Sequence, residues 1–451
     1  MKSFLQPESV AVIGASSDPR KGGYAIVSNL KEKFSERLYP VNPGSREVCG
    51  LPCFSDVTDL PEPVELAIIF VPSESVPDVL EGCASKGIRR VMIQSAGFAE
   101  TGKRGLELQN RCKEIAEKAN MRLWGPNCMG IVNGCSGMVA SFIRTDAWQG
   151  RLRGGDVSLI VQSGMLSAGF LVQIMNEGYF GVSKACSIGN RCDVNECDLL
   201  EYFRDDPETT VVAMYLESVS DAARFRKAVT ALNKPVLLLK GGTTSRGADA
   251  ARSHTASLAQ DSALAEGFFR QLGIHRAFDF LELADLTKAV TLWKGKTGGK
   301  GIGVVTFSGA SATVATDHLI QQGMDVPFLR EQCKSALAQI FPSWAEVENP
   351  VDLWPAIERT GRMSAYRTAL EAIIDESCVD AIFVHAYVDS TILEPLSEAL
   401  EVLQHTGKAA ALWVIGDASA IKMLRTRVEA MQIPLFTEIV RAVRAISLLA
   451  G

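Results

Sequence analysis

The chain has 451 residues, which at about 150 per domain implies about three independently packed cores. Apolar residues make up 47% and charged residues 22%, a balance that excludes long disorder, collagen-like repeats and coiled coil. Lysine and arginine number 46 against 52 acids, a formal charge of −6 with no basic block, so nothing presents a footprint for a nucleic-acid backbone.

In chain order, the opening MKSFLQPESVAVIGASS carries a short apolar run that Pro7, Glu8 and then glycine interrupt. Nowhere do about eighteen apolar residues run together, so neither a signal peptide nor a membrane span is expected. The eleven cysteines, scattered from Cys49 to Cys378, show no CxxC spacing. Reduced thiols of a cytoplasmic protein without a metal site are the simplest account.

Short β-branched runs that end in small residues alternate with helical-length segments, the signature of parallel βαβ units with covered sheets. The first block, residues 1–148, has predicted strands at Val10 to Ile13, Leu38 to Val41, Leu66 to Val71, Arg90 to Ile93 and Arg122 to Trp124. Its first strand runs into Gly14, Ala15 and Ser16 and then Arg20 and Lys21 before a helix, a setting in which backbone N–H groups and a helix dipole hold phosphates. The spacing is not GxGxxG, and the second strand ends in Asn42 and Pro43 with no carboxylate for a ribose hydroxyl, so a nicotinamide nucleotide is disfavoured. Arg20, Lys21 and Arg46 suit a ligand with several phosphates, such as coenzyme A. The bland alternative is a tight turn with solvated cations. Later strand ends add Val71-Pro72-Ser73, Ser95-Ala96-Gly97 and the Asn127-Cys128 pair of a GPNCMG run.

Together GASSDPRKGG, YPVNP, SAGFAETG and GPNCMG resemble the CoA-binding domain of the NDP-forming acyl-CoA synthetases, the succinyl-CoA synthetase superfamily. The resemblance implies a Rossmann-like CoA-binding domain followed by two flavodoxin-like parallel-sheet domains. It makes the strand-end residues named above the CoA contacts. Gly44 stands where the family often has lysine, leaving Arg46 to supply that charge.

The second block, residues 149–293, has predicted strands at Val157 to Val161, Lys184 to Ile188, Val211 to Leu216 and Val236 to Leu239. Of five histidines, His275, His318, His385 and His405 fit structural settings, whereas His254 lies in a run of small and hydroxylated residues, 247–259, able to present an imidazole to a cleft. A neutral imidazole is a competent nucleophile, and its phosphorylation would leave charge for N–H donors to hold. Gln162, Ser163 and Gly164 end one strand and begin a helix; Glu217 ends another, where a carboxylate can hold the second imidazole nitrogen. Read singly, Ser163 is equally a helix N-cap and Glu217 an exposed acid. SHTASLA, QSG and YLE resemble the phosphohistidine loop, phosphate loop and supporting glutamate of ADP-forming acetyl-CoA synthetases. Ala256 and Gln260 replace two glycines of that loop.

The glycine- and lysine-rich stretch 294–301 reads as a linker. The third block, 301–451, has predicted strands at Gly303 to Phe307, Ala381 to Val384, Ala410 to Val414 and Ile433 to Phe436. Ser308, Gly309 and Ala310 open a helix after its first strand, a second anion-favouring terminus or simply helix packing, and NPVD at 349–352 resembles a loop of the family's second flavodoxin-like domain. No Walker-type or ATP-grasp pattern is recognised. The resemblance therefore implies an alpha-type subunit that binds CoA, with ATP/ADP and Mg²⁺ held by an ATP-grasp beta partner in a hetero-oligomer or dimer. The implied reaction is acid + CoA + ATP ⇌ acyl-CoA + ADP + phosphate. A non-catalytic CoA-binding or CoA-sensing protein is the alternative.

Overall fold

A computed structural model describes residues 1–34, 36–148, 150–249 and 262–450. Three sheets form where the β-branched runs lie. The first contains β1 (Val10–Ile13), β2 (Leu38–Val41), β5 (Leu66–Ile69), β6 (Arg90–Ile93) and β7 (Arg122–Trp124), with a separate hairpin of β3 (Glu47–Val48) and β4 (Leu51–Pro52). Its order is β2-β1-β5-β6-β7, all parallel. The chain leaves β1 for one neighbour and returns on the other side as β5, so the crevice of this switch point opens beyond Ile13.

The second sheet differs from expectation at one edge. It joins β10 (Gly154–Val161), β11 (Val182–Ser187), β12 (Val211–Leu216), β13 (Val236–Lys240) and β14 (His275–Ala277) to β8 (Gly130–Asn133) and β9 (Met138–Ser141), in the order β14-β13-β12-β10-β11-β8-β9. β8 and β9 run antiparallel and come from the stretch read as the end of the first block. All eight of their residues are buried, so the alternation that would have marked them is missing. The switch point here lies between β10 and β12, beyond Val161 and Leu216.

The third sheet, β16-β15-β17-β18-β19, is wholly parallel: β15 (Ile302–Thr306), β16 (Val351–Asp352), β17 (Ala381–Val388), β18 (Ala409–Gly416) and β19 (Leu435–Phe436). The molecule divides into two compact units, Met1–Thr287 and Lys288–Gly451.

Within the first unit, one apolar cluster runs from Phe4 and Trp124 through Ile160 to Phe225 and Phe269. Trp124 donates its indole N–H to the Ser187 carbonyl at 2.7 Å, tying the end of β7 to the end of β11. Within the second unit, the stretch 294–301 is not a free linker. Thr297 exchanges hydrogen bonds with Gly407 and Ala409 at 2.7 and 2.8 Å, and a side chain at Gly298, Gly299 or Gly301 would come within 2.5 Å of Leu449, Asp380 or the Cys378 carbonyl. Those glycines permit close approach rather than flexibility. No helix among the described residues is long and apolar enough to cross a membrane.

Candidate active-site cleft

The β1 loop folds back onto the start of helix Gly22–Phe34. Gly14 has φ +91°, and a Cβ there would lie 2.2 Å from the Phe70 carbonyl oxygen; one at Gly23 would lie 2.0 Å from the Gly14 carbonyl. Only glycine lets loop, helix terminus and β5 end approach this closely. Asn42 fixes the loop by donating Nδ2 to the Ala15 carbonyl at 2.6 Å and accepting the Gly44 N–H at 2.8 Å. A cavity of about 700 Å³ opens at this point, and Gly14, Ala15, Ser16, Lys21, Asn42, Pro43, Val71 and Pro72 of the expected contacts line it.

Arg20, Arg46, Ser73 and Gly97 do not line it. Arg20 instead forms a two-pronged pair with Asp18 in the same loop, at 3.0 and 2.9 Å, which holds the Asp18 carboxyl below its usual range. Sequence reasoning passed over Asp18, and also Asp56 and Asp78, two acids in the cavity wall.

A second cavity, about 540 Å³, adjoins the first at Phe70, Val71 and Pro72. It brings together Ser95 and Ala96 from the β6 end, Asn127 and Cys128, and Gln162, Ser163 and Gly164 from the β10 end. Ser95 donates to the Val71 carbonyl at 2.5 Å, and its own carbonyl accepts the Asn127 N–H at 2.9 Å, so three loops brace one another. Burial pushes the Cys128 thiol up to about 12, which leaves it protonated at neutral pH. Gln94, Phe70 and Phe142 also face this space and were not anticipated. Phe142 follows the unforeseen strand β9 and packs on Phe70 at 5.5 Å between ring centroids.

Glu217, 6% exposed, stands beyond β12. The Gln162 side-chain oxygen accepts its N–H at 2.7 Å, the Tyr215 hydroxyl donates to its carboxylate at 3.4 Å, and the Lys240 ammonium donates to its carbonyl at 2.6 Å. The loops after β10 and β12 are thus locked together at the switch point. His254 falls within 250–261, outside the described residues.

In the second unit, Ser308 caps helix Gly309–Gln321, its hydroxyl accepting the Ser311 N–H at 3.3 Å. The Asp352 carboxylate stands 3.0 Å from where a Gly309 Cβ would be and accepts the Trp354 N–H. Asn349 of the NPVD run is a structural clamp that bonds Val304, Ile302 and Pro327, each at 2.9 Å. Among the described residues no group of three or more histidine, cysteine, aspartate or glutamate side chains is arranged to hold a metal ion.

Against known proteins, the chain is 34% identical over 470 residues to acetate–CoA ligase (ADP-forming) I subunit alpha of Pyrococcus furiosus, spanning all of this chain and 97% of that one. The chain belongs to the NDP-forming acyl-CoA synthetase family. Two domain models of the family agree: a CoA binding domain over residues 8–134 and a succinyl-CoA ligase like flavodoxin domain over 154–290. The acyl-CoA synthetase fold is shared with a solved acetyl-coenzyme A synthetase 1 of Candidatus Korarchaeum cryptofilum, at a TM-score of 0.87 and 29% identity over 99% of this chain and 96% of that one. A longer family member, acetate–CoA ligase (ADP-forming) II of Archaeoglobus fulgidus, is 32% identical over 99% of this chain, which spans 66% of that relative's length.

Proposed function

We propose that this chain is the alpha-type part of an ADP-forming acyl-CoA synthetase, interconverting acid, CoA and ATP with acyl-CoA, ADP and phosphate. The observation that carries the reading is the adjoining pair of cavities, which lead from the Gly14 loop to the Gln162–Gly164 turn. Together they offer room on the order of 10³ Å³, the upper end for small-molecule sites and suited to a ligand as long as CoA.

The start of helix Gly22–Phe34 and Lys21 would hold the CoA phosphates, while Asn42 and Pro43 flank the nucleotide end. Arg46, Ser73 and Gly97 would join from the rim, and Arg20 would contribute once released from Asp18. The pantetheine arm would pass Val71 and Pro72 and bring its thiol to Ala96, Asn127 and Cys128. In the acyl-CoA to ATP direction, phosphate attacks the thioester carbonyl; the C–S bond breaks, CoA leaves as the thiol, and an acyl phosphate forms. His254 then attacks phosphorus, the acyl C–O–P bridge breaks at phosphorus, and the carboxylate departs.

Ser163 and Gly164, at the start of helix Gly164–Glu177, would receive the phosphoryl oxygens, and Glu217 would hold the other imidazole nitrogen. Ser308, Gly309 and Ala310 are the proposed second phosphate terminus. The nucleotide and Mg²⁺ would sit on an ATP-grasp partner in a cytoplasmic hetero-oligomer, where Mg²⁺ supplies neutralisation of phosphate charge.

Two measurements test this. CoA is expected to raise the melting temperature, with no rise from NAD; the reverse pattern would overturn CoA binding. Incubation with acyl-CoA and labelled phosphate, or with ATP and the ATP-grasp partner, should give acid-labile label, and label persisting in His254→Ala would refute the phosphohistidine.

A further inference from the structure

The ladder between β12 and β13 ends at the pair Leu216 and Lys240. The next carbonyl on each strand, that of Glu217 and that of Gly241, accepts from one side chain: the Lys240 ammonium donates to them at 2.6 and 2.5 Å. Alternate residues of a strand share a face, so Lys240 continues the face of Val236 and Leu238, which lies in the main apolar core. Lys240 is only 7% exposed there. A methionine or leucine would extend that face without the cost of desolvating an ammonium. Burial, with Arg276 and Arg191 in range, pulls the lysine below its usual basicity. The Glu217 and Glu266 carboxylates oppose this, and the two carbonyl bonds satisfy the ammonium's donors.

Both carbonyls lie at strand ends that border the proposed site. Glu217 is the carboxylate at the switch point, already held at its N–H by Gln162. Gly241 and Gly242 open the segment that leads to His254; Gly242 has φ +66°, and a Cβ on Gly241 would lie 2.8 Å from the Tyr215 hydroxyl. Helix Ser262–Gln271 carries Glu266, which pairs with Arg276 and also lies in the field of Lys240. The lysine therefore stands where the strand end bearing the carboxylate meets the Gly241–Gly242 turn at the end of β13.

We propose that Lys240 is a positioning residue for Glu217 in the phosphoryl transfer described above, its ammonium fixing the end of β12 against Gly241 at the end of β13. This rests on the phosphohistidine reading above. A displacement of about 1 Å in such a constellation is enough to cost orders of magnitude in rate.

The full chain is incubated with labelled inorganic phosphate and acetyl-, butyryl- or phenylacetyl-CoA, and acid-labile label is followed in wild type, Lys240→Met and Lys240→Arg, with His254→Ala as control. Lys240→Met is expected to lose about tenfold or more in labelling rate at saturating acyl-CoA. Its half-saturating acyl-CoA concentration and CoA-induced melting shift should stay within about twofold of wild type, because the CoA cleft is untouched. Lys240→Arg, which keeps charge and donors, should recover at least about a third of the rate. A Met variant as fast as wild type overturns the proposal, as does an equal loss in both variants or a rate loss matched by the rise in half-saturation. Should Lys240→Met fail to fold, Lys240→Gln replaces it, and equal rates for Gln and Arg overturn the role. Wild type labelled at His254 with Lys240→Met unaffected sinks this inference alone. Wild type that takes no label at His254 sinks the phosphohistidine reading and this inference with it.

Discussion

His385, enclosed at 0% exposure in the third sheet, lies 3.6 Å from Trp413 in a ring stack and bonds the Trp413 carbonyl through Nδ1 at 3.0 Å. Burial pushes its pKa down to about 4, against 6.5 in an open chain. Between those values the unfolded imidazole binds a proton that the folded one refuses. The associated stability is complete above about pH 6.5 and is lost progressively as pH falls toward 4, by up to about 3 kcal/mol. The urea midpoint of the wild type should drop over that window and that of His385→Phe should drop less; equal slopes would show that His385 is not the group responsible. Burial likewise disfavours the Cys128 thiolate, so this cysteine lines the second cavity in its protonated form at neutral pH. Arg20, expected as a phosphate ligand by its place in a glycine-flanked loop, is paired with Asp18 two residues away, an exposed ion pair that a bound phosphate would have to displace.

At the scale of elements, the β1 loop and helix Gly22–Phe34 are joined by a glycine contact with no room for a methyl group. Gly23→Ala puts a Cβ 2.0 Å from the Gly14 carbonyl. The loop must shift, at a cost of about 1–3 kcal/mol typical of overpacking, and the CoA-induced melting shift should disappear while NAD still gives none. An unchanged CoA shift would remove this helix terminus from the binding site. The ends of β1, β2, β6, β7, β10 and β12 were legible because a buried parallel strand reads as an apolar run closed by small or polar residues. β8 and β9 were not: each has four residues, none alternates, and β8 pairs with β11, some fifty residues downstream. Missing them also concealed Phe142, the residue that follows β9. Gly298, Gly299 and Gly301 carried a signal that was misread, since close packing and flexibility select the same residue type.

For the whole molecule, the division into Met1–Thr287 and Lys288–Gly451 places both cavities, Glu217 and Lys240 in the first unit. Calorimetry should therefore resolve two transitions, of which CoA raises only one, by the stabilisation that binding to a native state confers. CoA raising both equally would contradict this assignment. Family membership, the parallel α/β class and the strand-end motifs were in the sequence by itself, because each depends on residues adjacent along the chain: a strand, its turn and the following helix start. The tertiary structure alone decided that the Gln162 amide grips the Glu217 N–H, that one lysine bridges β12 and β13, and that Phe70 and Phe142 wall the same space. Those contacts join segments up to about seventy residues apart, and sheet order and register, which no local pattern encodes, set which of them meet.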